Sequence, residues 1–538
     1  NRSFGDAHNV ALTLGTETFH TQERERNLEA TNLTTSDQEI GAVAGDNIQR
    51  VVYGNMPETK FRGYFARANY NLLNKYYAGI SYRRDGSSKF GADNRFGNFT
   101  AVSAGWVISE EDFLADNATV SFLKLRGSFG QTGNASIPQG ITQTQFLTWT
   151  RYGNTGSGST LNNIGASDIT WEVTNSIDVG FDYGLIDNRL EGSLAYYYQD
   201  VSDMLLQVPI GVSAGTSRIW ANIGDLLNRG VEFNINSVNI NTGDFTWTTG
   251  FNFTTSNNEI GSLTSTLAES RAGIDAGITT TRIGGILGAY YLAASAGIDE
   301  TYGHELIYEI DNDAFLEDGS DNPDYGKKTG NLLPATEGNV ANNRYVHEDK
   351  SGLPTYYGGL NNAFSYKGFT FSFLLSFQGG NYIYDSAEQM ATSVGSGRNV
   401  IRQDYVDNYW TSSNKDADYP ALTWENRYTY LDADGVETEG NFSQQTDRYL
   451  YKGDFMRLRN IQFGYTLPQN LTQRLAMKEI RIYVSASNLL TFTNYPGLDP
   501  ELIATGGSAE SRNLVQGVAT TSLLPQTRTF STGVSVSF

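Results

Sequence analysis

The chain has 538 residues, with 57 Gly, 32 Tyr and 28 Phe against 11 Pro and 5 Met, and a net charge of −21. It has no Cys, which excludes disulfides, thiol catalysis and thiolate metal sites. The acidic balance argues against nucleic acid, whose phosphates need clustered Lys and Arg. No apolar run reaches roughly 18 residues, so a transmembrane helix is excluded. The mean hydropathy of −0.39 still suits a membrane barrel, in which one apolar face alternates with a wet one.

Taken in chain order, period-2 alternation predicts strands near 8–19, 60–72, 76–85, 96–108 and 120–131. The next are near 174–186, where "SIDVGFDYGL" alternates without a break, and 189–201 and 228–239. "FTWTTGFNFT" lies in the strand at 245–256, then come 358–367 and the Phe-rich 369–380. The last three lie near 454–467, 479–492 and 527–538. That is about 14 strands, an even number as an up-and-down membrane barrel requires. Short turns such as "LLNK", "LIDNRL", "NTGD" and "YKG" alternate with long polar segments near 20–60, 134–170, 203–227, 257–357, 381–447 and 494–525. "GAYYLAASAGIDE" (288–300) breaks this alternation and is assigned to a long outer loop. The expected fold is an all-β transmembrane antiparallel up-and-down barrel wall with long extracellular loops and short periplasmic turns.

Charges support the assignment. Glu17, Arg67, Arg83, Lys124, Arg126, Asp178, Asp182, Glu191, Glu232, Arg481 and Arg528 lie on the polar parity of their strands. A charge on the lipid face costs about 2–4 kcal/mol near the midplane, so this parity is expected to face the lumen. Arg457 and Arg459 share parity with Ile461, Phe463 and Tyr465. Two readings stand for them: a place above the apolar band, or a bulge.

Ordered blocks of the chain resemble one family. "DRYLYKGDFMRLRNIQFGYTLP" (447–468), "NLLTFTNYPGLDPE" (488–501) and "SLLPQTRTFSTGVSVSF" (522–538) are similar to the closing region of SusC/RagA-type TonB-dependent outer-membrane transporters. The blocks at 76–114, 123–134 and 356–380 match further family segments. The resemblance implies a barrel of about 22 strands around an N-terminal plug. Residues 1–538 would be its C-terminal part and supply the last 14 or so strands. The plug, the TonB-contacting segment and the first strands are expected outside this sequence. It further implies import driven by TonB, a SusD-like surface lipoprotein as lid, and a glycan or peptide substrate. Outer-membrane lipid and the barrel-assembly machinery are the other implied partners. Phe538 resembles the terminal aromatic read by that machinery. The alternative is a docking barrel subunit of a larger outer-membrane assembly without import.

Site candidates are few. No spaced catalytic motif is present, so no enzyme activity and no cofactor are expected. His8, His20, His304 and His347 are isolated, without a second ligand at zinc spacing, and read as solvated loop or turn residues. In "EIDNDAFLEDGSDNPD", Asp311, Asp313 and Asp318 are weak calcium candidates, because the spacing departs from the 12-residue calcium loop. "LDADGVETEG" (431–440) reads more plainly as a turn. Trp171, Trp220, Trp410 and Trp424 lie in or beside long loops and are candidates for stacking on substrate. Anchoring of strand ends or loop packing competes with that role at each of them.

Overall fold

The computed structural model describes residues 2–4, 7–23, 25–29, 51–55, 58–114, 117–152, 156–216, 218–263, 273–313, 322–392, 401–502, 514–521 and 523–538. Fourteen long strands match the predicted ones. They are β1 (His8–Gln22), β2 (Glu58–Leu72), β3 (Tyr76–Ser87), β4 (Phe96–Val107), β5 (Val120–Asn134), β6 (Glu172–Leu185), β7 (Leu190–Ser202), β8 (Asp225–Thr242), β9 (Phe245–Thr255), β10 (Tyr356–Tyr366), β11 (Phe369–Gly379), β12 (Phe455–Thr466), β13 (Glu479–Thr493) and β14 (Thr529–Ser537). Hydrogen-bonded neighbours follow chain order, the order of an up-and-down meander. The short strand Arg2–Phe4 adds to β1, and Asn257–Ser262 pairs with β8.

The chain divides into two compact units. The first comprises Asn1–Trp106, Gly127–Ile177 and Val201–Ile223, and the second Val107–Arg126, Asp178–Asp200 and Gly224–Phe538. In the first, β1 to β4 pair antiparallel and without register shifts. In the second, β8 to β14 do the same with bulges. The tight turns follow from local chemistry. Lys367 (φ 45°) and Gly368 (φ 89°) form a two-residue hairpin in which the positive φ at both positions gives the turn the right-handed twist of the flanking strands.

Side-chain exposure separates the two faces of the sheet. Leu12 and Leu14 on β1, Ile80 and Tyr82 on β3, Val179 and Phe181 on β6, Phe463 on β12 and Val484 on β13 are all exposed. Each lies on the parity opposite the strand's ion-paired charges, apart from β12, where Arg457 and Arg459 share the numbering parity of Phe463; Arg84 on β3 shares the parity of Ile80 and Tyr82 near the strand end. An apolar face left open to this extent requires an apolar surrounding.

The long segments are not bare loops. In the second unit they build small sheets of their own. One joins Ile274–Asp275, Thr279–Thr281, Ala289–Ala293 and Arg344–Ser351, and another Ser295–Ile298, Glu305–Ile310 and Lys328–Pro334. A third pairs Tyr382–Asp385 with Leu450–Lys452 and, in parallel, with Val518–Ala519. Residues 288–300 therefore hold two strands, yet neither belongs to the main sheet. Tyr290, Leu292, Tyr384, Tyr449, Val515 and Val518 form the buried core beneath them.

Candidate functional site

The polar face is held by ion pairs that span strands. In the first unit Arg83 Nε lies 2.6 Å from Asp85 Oδ2, and its Nη2 also pairs with Glu17. Gly63 sits between Glu17 and Asp85 in the cross-strand row. A Cβ there would stand 2.7 Å from Asp85 Oδ1 and 3.0 Å from Arg83 Nη2, so only glycine leaves room for the bridge. In the second unit Arg126 pairs with Asp178 and, at 3.2 Å, with Asp182. Arg481 reaches across Gly464 to donate to Thr370 Oγ1 at 3.3 Å. Glu232 is exposed on β8.

Arg457 and Arg459 are explained by a bulge. The register of β12 with β11 and with β13 skips Arg459, and Asn488 on β13 has φ 54°. The extra residue reverses parity. Below it Phe463 is the exposed apolar residue, and above it Met456 takes that role. Arg457 thereby turns to the polar side, where only 1% of it is exposed. Its Nη2 pairs with Asp499, and its Nη1 lies 3.1 Å from Glu501 Oε2. Arg459 pairs with the same Glu501 and donates to Ser376 Oγ at 2.7 Å. Asp499 also accepts the backbone N–H groups of Glu501 (3.0 Å) and Gln526 (3.1 Å). Burial raises the Asp499 carboxyl pKa, but the bonds from Arg457 and the two backbone groups outweigh it and hold the group below its usual range. The two sequence blocks "GDFMRLRN" and "NYPGLDPE" thus meet in one buried charge network.

Beside this network is a cavity of about 460 Å³ lined by Asp385, Glu388, Arg402, Tyr495, Leu498 and Leu502, among others. Asp385 Oδ2 accepts from the Tyr495 hydroxyl at 2.6 Å. Its other oxygen caps the helix Ser386–Ala391 by accepting the Glu388 N–H at 2.8 Å. Glu388 lies 3.0 Å from Arg402 Nη1, and burial pushes its carboxyl pKa up.

Deeper in the same layer Glu305 is 4% exposed and accepts from Ser295 Oγ (2.6 Å) and Thr446 Oγ1 (2.9 Å). Its burial raises its pKa. His347 is also buried, 3.7 Å from Asp447 Oδ2, and burial with Lys350 and Lys328 nearby pushes it down to about 4. His304 is buried against Phe442. The expectation of solvated histidines therefore fails at His304 and His347, because the segments carrying them fold into a layer with its own core. His8 and His20 are exposed as expected, but both lie within β1 and not in a loop or turn. No local spacing marked Glu305; the alternation of "ELIYEI" was the one available signal.

The tryptophan candidates divide. Trp171 and Trp220 are corrected to packing residues, 6% and 7% exposed in a cluster with Phe90, Phe99, Ile137 and Ile169. Burying an indole removes on the order of 200 Å² from water, about 5 kcal/mol before entropy, which decides their placement. Trp410 is half-buried, lies against Gly303 and donates to the Glu300 carbonyl at 3.3 Å. Trp424 is 71% exposed, beside Glu425 and Asn426, both of positive φ. Asp311 accepts from Asn322 Nδ2 at 3.1 Å on each oxygen and from the Asp313 N–H at 3.0 Å. Asp318 lies outside the described residues, among which no group of three or more His, Cys, Asp or Glu is placed to hold a metal. In "LDADG", Asp432 accepts from Asp434 and Val436 N–H groups, an Asx turn. Phe538 follows β14 and is exposed.

An outward apolar parity, an ion-paired polar parity and a folded layer on the long connections define a membrane β-barrel wall of the receptor type. A family model described as TonB dependent receptor-like, beta-barrel, matches residues 1–411. The chain is 30% identical over 551 residues to TonB-dependent receptor P3 of Formosa agariphila, covering 100% of this chain and 51% of that protein. It is 29% identical over 458 residues to TonB-dependent receptor SusC of Bacteroides thetaiotaomicron, covering 82% and 41%. Among solved structures it is similar to the RagAB peptide transporter, with a TM-score of 0.79 at 23% identity, covering 100% of this chain and 54% of that one. The chain belongs to the TonB-dependent receptor β-barrel family, as a SusC/RagA-like member. This is a family of outer-membrane receptors and transporters, not of enzymes. The chain spans about half the length of the curated relatives it matches.

Proposed function

We propose that this chain forms the C-terminal barrel portion of a receptor that imports a bulky oligomer, glycan or peptide, across the outer membrane. One observation carries the reading: in the middle of the long strands exposed apolar residues lie on one parity, and ion-paired residues such as Glu17, Arg83, Arg126 and Asp178 lie on the other. The polar parity then lines a passage, and Arg126, Asp178, Asp182, Glu232 and Arg481 face it. The layer built on the long connections is the outer docking surface, on which a SusD-like lipoprotein closes. TonB acts through the N-terminal half of the whole protein. Trp424 is the aromatic face still open to an oligomer. A solved structure similar in fold is titled a peptide transporter, whereas SusC is a relative by sequence, so both oligomer classes stay in the proposal.

The test is uptake. Cells lacking the full-length receptor should lose uptake of one labelled oligomer class, and the restored gene should return it. Unchanged uptake of every glycan and peptide oligomer the host consumes overturns the reading.

A further inference from the structure

The apolar face of the first unit ends in a row of cations. Across β1 to β4, Leu12, Ala68, Ile80 and Val102 form one cross-strand row, and Leu14, Ala66, Tyr82 and Thr100 the next. Continuing toward the long connections, the rows read Thr16, Tyr64, Arg84, Asn98, then Thr18, Arg62, Gly86, Phe96, then His20 and Lys60. The apolar face begins at Leu72 on β2. From there to Arg62 the strand climbs about 33 Å, at roughly 3.3 Å per residue. Tilted by about 40°, that is about 25 Å, the height of the apolar band of an outer-membrane barrel. Arg62 thus stands where hydrocarbon gives way to headgroups, and Arg84, on the row of Tyr64, about 5 Å below it.

A cavity of about 470 Å³ opens at this level, lined among others by His20, Lys60, Arg62, Ser88, Arg95 and Phe96. Arg84 lies over the Phe96 ring at 5.1 Å. Arg62, Arg84 and Arg95 are exposed, and none has an ion pair among the described residues. Arg83, one residue away on the opposite face, has two. Glu58 is already engaged by Lys60 at 2.7 Å and His20 at 2.8 Å. On a chain of net charge −21 this local excess of cations stands out. Guanidinium groups match phosphate oxygens in pairs, and the aromatic ring gives an acyl chain or glucosamine face something to rest on.

We infer that this cavity binds the phosphate of a membrane lipid headgroup, with the acyl chains lying along the apolar rows of β1 to β4. The inference rests on the outer-membrane placement of the family and is independent of what the receptor imports. Full-length protein in neutral detergent would be titrated with diphosphoryl lipid A and with its dephosphorylated form, read by native mass spectrometry. The diphosphoryl form should bind at least about tenfold more tightly, with the preference shrinking as salt rises. The combined Arg62→Gln, Arg84→Gln, Arg95→Gln variant should lose that preference, and Arg427→Gln, in the Arg427–Leu431 hairpin strand of the second unit, should keep it. If the combined variant fails to assemble, Arg62→Gln and Arg95→Gln alone should each weaken binding about threefold. Equal binding of the two lipids, unchanged binding by these variants, or full displacement by inorganic phosphate overturns the inference.

Discussion

Arg457 shows how a single charge is tolerated inside the molecule. It is almost fully buried, and its two partners come from the Asp499–Glu501 turn. Removing one member of such a network leaves the other charge stranded, at a cost of about 3–5 kcal/mol. Arg457→Met in the full-length receptor should therefore lower the thermal midpoint sharply, whereas Leu498→Ala, at an exposed side chain, should change stability by no more than about 0.5 kcal/mol. Unfolding followed by heat-dependent gel mobility checks both. His347 supplies a pH signal. Its folded pKa is about 4, below its unbound value of 6.5. Between those values the unfolded chain takes up a proton that the folded one refuses, so this residue's contribution is full above pH 6.5 and falls as pH drops toward 4. The loss is at most about 3 kcal/mol. A His347→Gln variant should lack this part of the acid destabilisation; identical pH curves for the two proteins would contradict the assignment. Neither effect was legible locally. Burial of Arg457 and His347 depends on segments that are distant in sequence.

Among the elements, β12 departs from simple alternation. One extra residue, Arg459, lets its apolar residues face one way below and above the bulge while both arginines turn to the polar side. Deleting Arg459 should restore strict period 2 and leave Arg457 on the polar side and Met456 on the apolar side, because Leu458 already follows Asn460 in the register. The full-length deletion variant should then still reach the outer membrane, as assayed by membrane fractionation, and its loss from that fraction would contradict the bulge assignment. The Lys367–Gly368 hairpin gives a milder case. Lys367 has φ 45°, and Asn tolerates that conformation better. The exposed Lys367–Asp244 pair at 3.3 Å adds little in return. Lys367→Asn should stabilise by about 0.5 kcal/mol, read as a raised unfolding midpoint. Strand positions were legible because alternation is written within each strand. The bulge was one of two open readings, since the sequence shows a broken parity but not which residue is left unpaired. The small sheets over the long connections were not foreseen at all: their strands are two to eight residues long and pair over large separations.

At the scale of the whole molecule, the separation of faces is the quantity to test. Leu12 and Thr13 are adjacent on β1, and both side chains are exposed. Leu12→Arg should cost about 2–4 kcal/mol and reduce assembly in the outer membrane, while Thr13→Arg should be nearly neutral. Equal effects would refute the assignment of faces. By itself the sequence determined the fourteen long strands, their parities except across the β12 bulge, the family and the polar set containing Arg126, Asp178 and Asp182, because each depends on spacing within a strand or on ordered blocks. Only the tertiary structure decided that Trp171 and Trp220 are core, that Arg457 and Arg459 share Glu501, and that cations crown one apolar face. Those facts depend on cross-strand register and on which distant segments cover which, and register is set by pairing partners that no local pattern names.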